Sequence, residues 1–457
     1  MNNSQYTPEE PISSIATALA PAALGIVRVS GKNSVELVSR VFSSPKKLCE
    51  AQGNTIVYGW IKNGDALVDE VMVAVYRAPK SFTGEEMCEI FCHGGPAVVT
   101  AVQALMLKNG FRQAERGEYT FRAYINGKTD LTKAEAVREI IDSHTDASRS
   151  RAVGRLAGSL FEEIDSIKKL VIDTLAAIEV EIEYPEDEET IADAFDSSDI
   201  KEARDRLQSL VASWKGEKLY QDGARVVLCG RTNAGKSSLF NAILKEERAI
   251  VSDIEGTTRD FLESWASFDG IPVRLFDTAG LRETDDIVEA QGVKITKNLS
   301  TDADVVLYLV DSNSGLNSED ELFLKNCREP VILVWTKCDL NSDSVSCDSQ
   351  SLRGQVFVSS KKGTGLDTLY SAVKSVLTSA LPTERVQAGL GSERQKKAVQ
   401  EALECIEHAL ISASDNYTLD AVVQDLEDTL EALGEVTGDV TPDDVLGSIF
   451  ANFCVGK

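Results

Sequence analysis

Residues 230–237 read Gly-Arg-Thr-Asn-Ala-Gly-Lys-Ser and directly follow the apolar run Val226–Cys229. Few folds accommodate that order. The run is a strand, the glycine-rich turn lets backbone N–H groups wrap an anion, and the helix expected over Ser238–Leu244 adds its N-terminal dipole. Within the turn, Lys236 brings a point charge to the β and γ oxygens of a bound nucleotide, and the Ser237 hydroxyl suits Mg²⁺. Asn233, Ala234, Gly235 and Ser238 complete the cradle.

The segments that follow repeat this arrangement. Strands are expected at Arg225–Cys229, Val273–Phe276, Val305–Val310, Val331–Trp335 and Gln355–Val358, alternating with helices as in a doubly wound, Ras-like α/β sheet. Motif residues fall at the strand ends, where such sheets bind ligands. Asp277-Thr278-Ala279-Gly280 offers a carboxylate that reaches Mg²⁺ through water and a Gly280 N–H for the γ-phosphate. Thr257 and Thr258 lie in the preceding loop, placed to close over the metal. Thr336-Lys337-Cys338-Asp339 ends a strand with a carboxylate able to accept from guanine N1–H and its 2-amino group, and Ser359-Ser360-Lys361 backs the base. Leu281 stands where small GTPases commonly carry a water-orienting glutamine, so hydrolysis must borrow a charge elsewhere. Asn233 is the first candidate, because its amide oxygen can hold a monovalent cation near the β–γ bridge.

Outside this region the texture changes. Residues 12–125 mix strands and turns, with strands at Gly25–Ser30 and Glu70–Tyr76 and a helix over Ala97–Lys108 that stops at Asn109–Gly110. Residues 131–215 lose nearly all Gly and Pro and carry Leu160, Ile164, Ile167, Val171, Leu175 and Ile178 at helical spacing, predicting a long helix that ends at Pro185. Helical texture returns over Ser392–Ser412 and Leu419–Leu433. The expected architecture is multidomain, α/β plus α. Residues 1–125 form a mixed α+β N-terminal domain, 126–215 and 382–457 are two parts of a helical domain, and 216–381 are an inserted α/β domain.

A formal charge of −26 argues against gripping nucleic acid over the whole surface, so any RNA contact needs a confined patch or a basic partner. The densest acidic stretch, eleven Asp or Glu and no basic residue over Val171–Ile200, reads as a solvated helix face and loop. Nine scattered cysteines point to free thiols. Cys88, Ile90 and Cys92 alternate as one face of a strand, which outweighs a metal reading of the two thiols with His93. No basic residue precedes Arg28, no apolar run is long enough to span a bilayer, and neither end carries a lipidation pattern; cytoplasm and no membrane are the expectations.

The combination of Gly-x-x-Asn-x-Gly-Lys-Ser-Ser, Gly256-Thr-Thr-Arg-Asp260 and Asp277-Thr-Ala-Gly-Leu-Arg282 resembles the potassium-activated GTPases. The flanks narrow this. Gly25-Ile-Val-Arg-Val-Ser-Gly31, Ser81-Phe-Thr-Gly-Glu-Glu86, His93-Gly-Gly95, Gly117-Glu-Tyr-Thr-Phe-Arg-Ala123 with Lys128, Glu135-Ala-Val, Tyr184-Pro-Glu and the terminal Phe453-Cys-Val-Gly-Lys457 resemble the MnmE (TrmE) family along essentially the whole chain. The resemblance implies a homodimer that works with an MnmG-type flavoprotein on tRNA. GTP, hydrolysed to GDP, Mg²⁺, K⁺ and 5-formyl- or methylene-tetrahydrofolate are the implied ligands, and a (carboxymethyl)aminomethyl group at carbon 5 of the wobble uridine is the implied product. It places folate contacts on Arg28, Glu85, Lys128 and Lys457, with Cys454 as a possible participant. It places K⁺ on Asn233, Ser252, Ile254 and Thr257, Mg²⁺ on Ser237 and Thr258, and the water-orienting role on Glu289. Asp253, Glu255 and Gly256 join these as nucleotide-side residues of the same loop.

The chain departs from the family pattern at Thr232, where Pro is usual, and at Thr336, where Asn is usual and a shorter side chain predicts weaker guanine contacts. Ala22–Ala23 and Val455 also differ from the usual residues. Taken alone, Arg28 reads as a snorkelling strand residue, Glu85 as a helix cap, Lys128 as a turn residue and Glu289 as an exposed helix residue. Lys457 reads as a frayed end, although the apolar Phe453 and Val455 suggest that the tail docks. A ribosome-assembly GTPase and a nucleotide-gated scaffold stand as rival readings of the motifs.

Overall fold

The computed structural model describes residues 10–183, 197–245, 249–250, 262–277, 302–340, 350–379, 381, 388–414, 419–441 and 443–457. The chain divides into two compact units, one made of residues 1–138 and 427–457, the other of residues 139–426.

In the first unit, six strands form one sheet: β1 (Ile12–Ile15), β2 (Ala22–Ser30), β3 (Thr55–Asn63), β4 (Ala66–Tyr76), β5 (Met87–Gly94) and β6 (Arg112–Gln113), in the order β3-β4-β5-β2-β1-β6. All neighbours are antiparallel except β1 and β6. Alternation puts Val27, Val29, Val57, Val71, Val73, Val75, Cys88, Ile90 and Cys92 on one face, buried against the helix Pro96–Lys108. That settles the Cys88–Cys92 pair as core. Burial pushes the Cys88 thiol up to about 12 and the Cys92 thiol to about 11. His93 lies on the opposite face, where its ring nitrogen meets Asp69 at 2.7 Å.

A second cluster closes the unit. Leu131, Ala134, Leu446, Phe450 and Phe453 are buried together, with Phe121 and Tyr124 packed against them. The Phe121 and Phe450 rings meet edge to face, their centroids 5.5 Å apart. The C-terminal segment is therefore seated by aromatic burial.

In the second unit, the helices Ser159–Glu183, Ser198–Asp222 and Glu393–Ser414 bury apolar stripes, including Leu160, Ile164, Ile167 and Val171 on the first and Ile200, Ala203, Leu207 and Leu210 on the second. Leu175 is only half-buried, and the predicted stop at Pro185 lies outside the described residues. Arg155 is nearly fully buried and is held by Glu139 and Glu217. A cation enclosed this way survives only because carboxylates face it.

The helix Ser198–Asp222 runs through Gly223 into a seven-stranded sheet. Its strands are β7 (Ala224–Gly230), β8 (Ala249–Ile250), β9 (Leu262–Phe268), β10 (Ile271–Asp277), β11 (Val305–Asp311), β12 (Val331–Thr336) and β13 (Leu352–Val358), ordered β13-β12-β11-β7-β10-β9-β8. The five predicted strands are β7, β10, β11, β12 and β13, and they pair in parallel. β11 and β12 are almost continuously apolar because both of their faces are covered. The sheet is not wholly parallel, since β9 pairs antiparallel with β10 and β8 with β9. β9 was not expected, because Glu263, Ser264 and Ser267 dilute its apolar signal.

Candidate functional site

The phosphate loop sits between β7 and the helix Lys236–Lys245, as the sequence requires. Asn233 takes a left-handed backbone at φ 63°, which asparagine tolerates better than most residues. Gly235 has φ +93°, a conformation that L side chains rarely adopt, so glycine is needed there for its backbone. Lys236 is buried, and its ammonium donates to the carbonyls of Gly230 at 2.7 Å and Arg231 at 2.8 Å. The charge thus lies across the loop's mouth, where phosphate oxygens would compete for it.

The Ser237 hydroxyl lies 3.0 Å from Asp277 Oδ2. A hydroxyl and a carboxylate this close, one at a helix N-terminus and one at the end of β10, form an oxygen donor pair suited to Mg²⁺. Ser238 is exposed on the same turn. Asn233 is the one residue of the implied K⁺ set within the described residues. Ser252, Ile254 and Thr257 lie outside them, as do Asp253, Glu255, Gly256, Thr258, Thr278, Ala279, Gly280 and Glu289.

At the base end, Ser359 Oγ donates to Asp339 Oδ1 at 2.8 Å. That hydrogen bond, assisted by Lys362 and Lys361, holds the half-buried Asp339 carboxyl below its ordinary value. It stays ionised as an acceptor at neutral pH. Lys361 is exposed and Ser360 half-buried beside it. Lys337 has φ 56°, and its ammonium bridges Asp311 at 2.7 Å and the Asn233 carbonyl at 3.3 Å. The Thr336 side chain is buried and its hydroxyl donates to the Ala234 carbonyl at 2.8 Å, with the Val310 carbonyl at 3.2 Å, so it ties the end of β12 to the phosphate loop.

Sequence reasoning also missed a buried brace on the loop's other flank. Arg231 meets Asp320 at 3.2 Å and donates to the Gly315 carbonyl at 2.8 Å. Asp320 is fully buried and also accepts from Tyr308 at 2.8 Å and from the Asn317 amide at 2.9 Å. Asn317-x-x-Asp320 is a helix-start signature that could have flagged this carboxylate.

The second constellation lies in the first unit. Arg28 projects from β2 and pairs with Glu89 at 2.7 Å, while another of its nitrogens donates to the Gly456 carbonyl at 2.9 Å. It is a docking point for the tail and not a snorkelling side chain. Gly456, at φ +98°, passes so close to β1 that an added Cβ would meet the Ile15 carbonyl at 2.8 Å. Phe453 is buried, whereas the Val455 side chain stays 44% exposed and only its backbone bridges to Arg116. Lys457 is half-buried, and burial, reinforced by Arg28, lowers its ammonium pKa. Cys454 is exposed.

Glu85 caps no helix. Both its carboxylate oxygens accept from Arg122 at 3.1 Å, and Ser30 donates to one of them at 2.7 Å. Arg122, 2% exposed, is shared with Glu118 at 2.8 Å. Burial raises the Glu118 pKa, but hydrogen bonds from Arg112, the Glu115 amide and Arg122 outweigh it and hold the carboxyl below its ordinary value. Lys128 is exposed, donates to the Pro79 carbonyl at 3.1 Å, and lies against Gly84. Arg28, Glu85, Lys128 and Lys457 therefore gather around the end of β2 and the loop before β5. Glu89 and Arg122 belong to this corner and were not singled out, although Glu118 and Arg122 stand four apart on one helix face.

A family model described as the MnmE helical domain matches residues 131–454, and one described as GTP-binding protein TrmE N-terminus matches residues 11–128. The tRNA modification GTPase MnmE of Treponema denticola is 50% identical over 472 aligned positions that cover 100% of both chains. That of Treponema pallidum (strain Nichols) is 42% identical with 100% of both chains covered, and that of Borrelia turicatae 40% identical with 98% of both covered. The chain belongs to the MnmE family of tRNA modification GTPases.

Proposed function

We propose that this chain is a K⁺-dependent GTP hydrolase that acts as a homodimer with an MnmG-type flavoprotein on tRNA. It adds a (carboxymethyl)aminomethyl group at carbon 5 of the wobble uridine, drawing the one-carbon unit from 5-formyl- or methylene-tetrahydrofolate. The observation that carries the nucleotide half is the convergence of Lys236, Ser237, Asp277 and Asp339 at the ends of β7, β10 and β12 in one parallel part of the sheet, with Ser237 and Asp277 3.0 Å apart.

In this reading Lys236 and the loop amides bind the β and γ phosphates and Asp339 reads guanine. Mg²⁺, held through Ser237 and Thr258, neutralises phosphate charge when bound. Asn233, Ser252, Ile254 and Thr257 hold K⁺, and Glu289 orients the attacking water. Arg28, Glu85, Lys128 and Lys457 bind the folate, and Glu85, paired with Arg122, is suited to accept N–H donors from a heterocycle. Cys454 lies at the same tail. The outer face of the six-stranded sheet supports a second copy as partner, because Leu24, Ile56, Tyr58 and Met72 are all exposed there. Among the described residues no helix is long and apolar enough to cross a membrane.

Mass spectrometry of tRNA from cells lacking this chain tests the reading. The (carboxymethyl)aminomethyl group should vanish from wobble uridines and return on complementation. Retention of the group would overturn the proposed chemistry.

A further inference from the structure

One face of the seven-stranded sheet carries two arginines side by side. Arg225 on β7 and Arg274 on β10 are direct partners in the parallel register, and Trp265 on β9 is the next residue of the same row. Neighbouring strands lie ~4.8 Å apart, so two positive charges stand about as close as a sheet allows, an arrangement that costs stability. Arg225 is near the start of β7, at the other end of that strand from the phosphate loop.

Little around the pair offsets its charge. Among the described residues no carboxylate lies within ion-pairing distance of Arg274, and Arg225 has Asp302 at 3.8 Å, itself 70% exposed. The Asp304 carboxylate accepts from the Arg225 backbone amide at 2.7 Å. The Nε of each arginine is closed off from solvent and, among the described residues, meets no acceptor. The guanidinium carbons lie over aromatic rings, Arg225 over Phe276 at 5.4 Å and Arg274 over Trp265 at 5.5 Å. A ring face steadies the plane of a guanidinium and leaves its in-plane N–H groups for another acceptor. Arg155 of the same unit shows the contrast, since there Glu139 and Glu217 supply the carboxylates that an enclosed arginine needs. Arg225 and Arg274 are instead both partly exposed.

Adjacent planar forks suit one oxyanion that bridges them, and a phosphodiester offers two free oxygens. The chain belongs to a family of tRNA modification GTPases, and its formal charge of −26 leaves confined cationic points as the means of holding RNA. We propose that Arg225 and Arg274 form a docking point for a phosphate of the tRNA backbone, separate from the nucleotide site. The inference rests on tRNA being the substrate of this chain and adds where an acidic protein grips it. Asp302 competes with that phosphate for Arg225 and swings off when the RNA arrives.

Fluorescence anisotropy of a labelled tRNA transcript on the full chain, over a salt series, tests this. Arg274→Gln should weaken tRNA roughly tenfold and lower the salt slope by about one, the mark of a single lost phosphate contact. Arg225→Gln should do the same, and the double variant should lose little more than either, because both residues hold one phosphate. Arg274→Lys, which keeps the charge but not the fork, should restore the slope and part of the affinity. Asp302→Asn should tighten binding by about twofold, the worth of an exposed ion pair. GTP hydrolysis should hold at the wild-type rate, and the melting temperature of Arg274→Gln should not fall, since a like-charged neighbour has gone. Wild-type tRNA affinity in both Gln variants, with a lowered melting temperature, would assign the pair to holding the sheet and overturn the proposal. Thermal protection by inorganic phosphate that both substitutions abolish, with tRNA affinity unmoved, would make the occupant a free anion and overturn the tRNA assignment. A wild-type chain that binds no tRNA would remove the tRNA reading itself, and the proposal with it.

Discussion

The nucleotide site and the N-terminal corner are built from opposite materials. The first is built from backbone. Its loop amides, carbonyls and strand ends come from short contiguous motifs, and its charged side chains are few. The second is built from side chains far apart in the chain, with Arg28 on Gly456 and Arg122 on Glu85. Backbone sites tolerate change around them as long as the turn persists. Networks of buried ion pairs do not, because removing one partner leaves the other charged and enclosed.

The comparison predicts independent failure. The largest expected effect is ionic. Exchanging K⁺ for Na⁺ should lower kcat for GTP hydrolysis by about 10²–10³-fold, the usual worth of a transition-state charge contact, while folate affinity is unmoved. Equal rates in both salts would break the cation assignment. Next comes Asp339→Asn, which removes two acceptor contacts to guanine. GTP affinity should fall roughly 100-fold and xanthosine triphosphate should gain, because an amide donor suits its second carbonyl. Isothermal titration with both nucleotides reads this directly.

On the other side, deleting Phe453–Lys457 should weaken 5-formyl-tetrahydrofolate by roughly tenfold or more while the K⁺-stimulated GTPase rate persists, as expected for loss of a charge-assisted contact. If the truncated chain loses GTPase activity as well, the two sites are not separate and the comparison fails. The smallest effect concerns His144, whose ring stacks on Trp265 at 3.8 Å. Burial lowers the imidazole pKa from its ordinary 6.5; Asp142 opposes the shift and Arg274 adds to it. The folded chain therefore binds fewer protons than the unfolded one between that lowered value and 6.5. Stability is present above this window and declines slightly as pH falls through it. Thermal melts at pH 7.5 and 5.5 should show that decline, and His144→Gln should flatten it.

Legibility in the sequence follows the same division. Lys236, Ser237, Asp277 and Asp339 were readable because each stands at the end of an apolar run, at a spacing the chemistry dictates. β9 was not, because its side chains alternate weakly. Nor was the inward turn of Thr336, since a hydroxyl gives no hint of which carbonyl it will meet. In the N-terminal corner, composition alone gave Arg28 and Glu85 bland readings. Only the family resemblance singled them out, because no local pattern announces a partner hundreds of residues away. Arg122, although inside the Gly117–Ala123 motif, was given no role by it, and Glu89 lay outside every motif.

The bond between Arg28 and Gly456, 428 positions apart, also sets an order of events. Ribosomes release a chain from its beginning, so β1 to β6 emerge long before the segment that completes their unit. The intervening residues 139–426 are made first and can fold on their own contacts while the early sheet waits. Closing so long a loop costs little more than closing a shorter one, since the entropy grows only with the logarithm of length. The delay is therefore temporal. Until Phe450 and Phe453 arrive, the apolar surface of Phe121 and Tyr124 stays open, and a holding chaperone would find its substrate there.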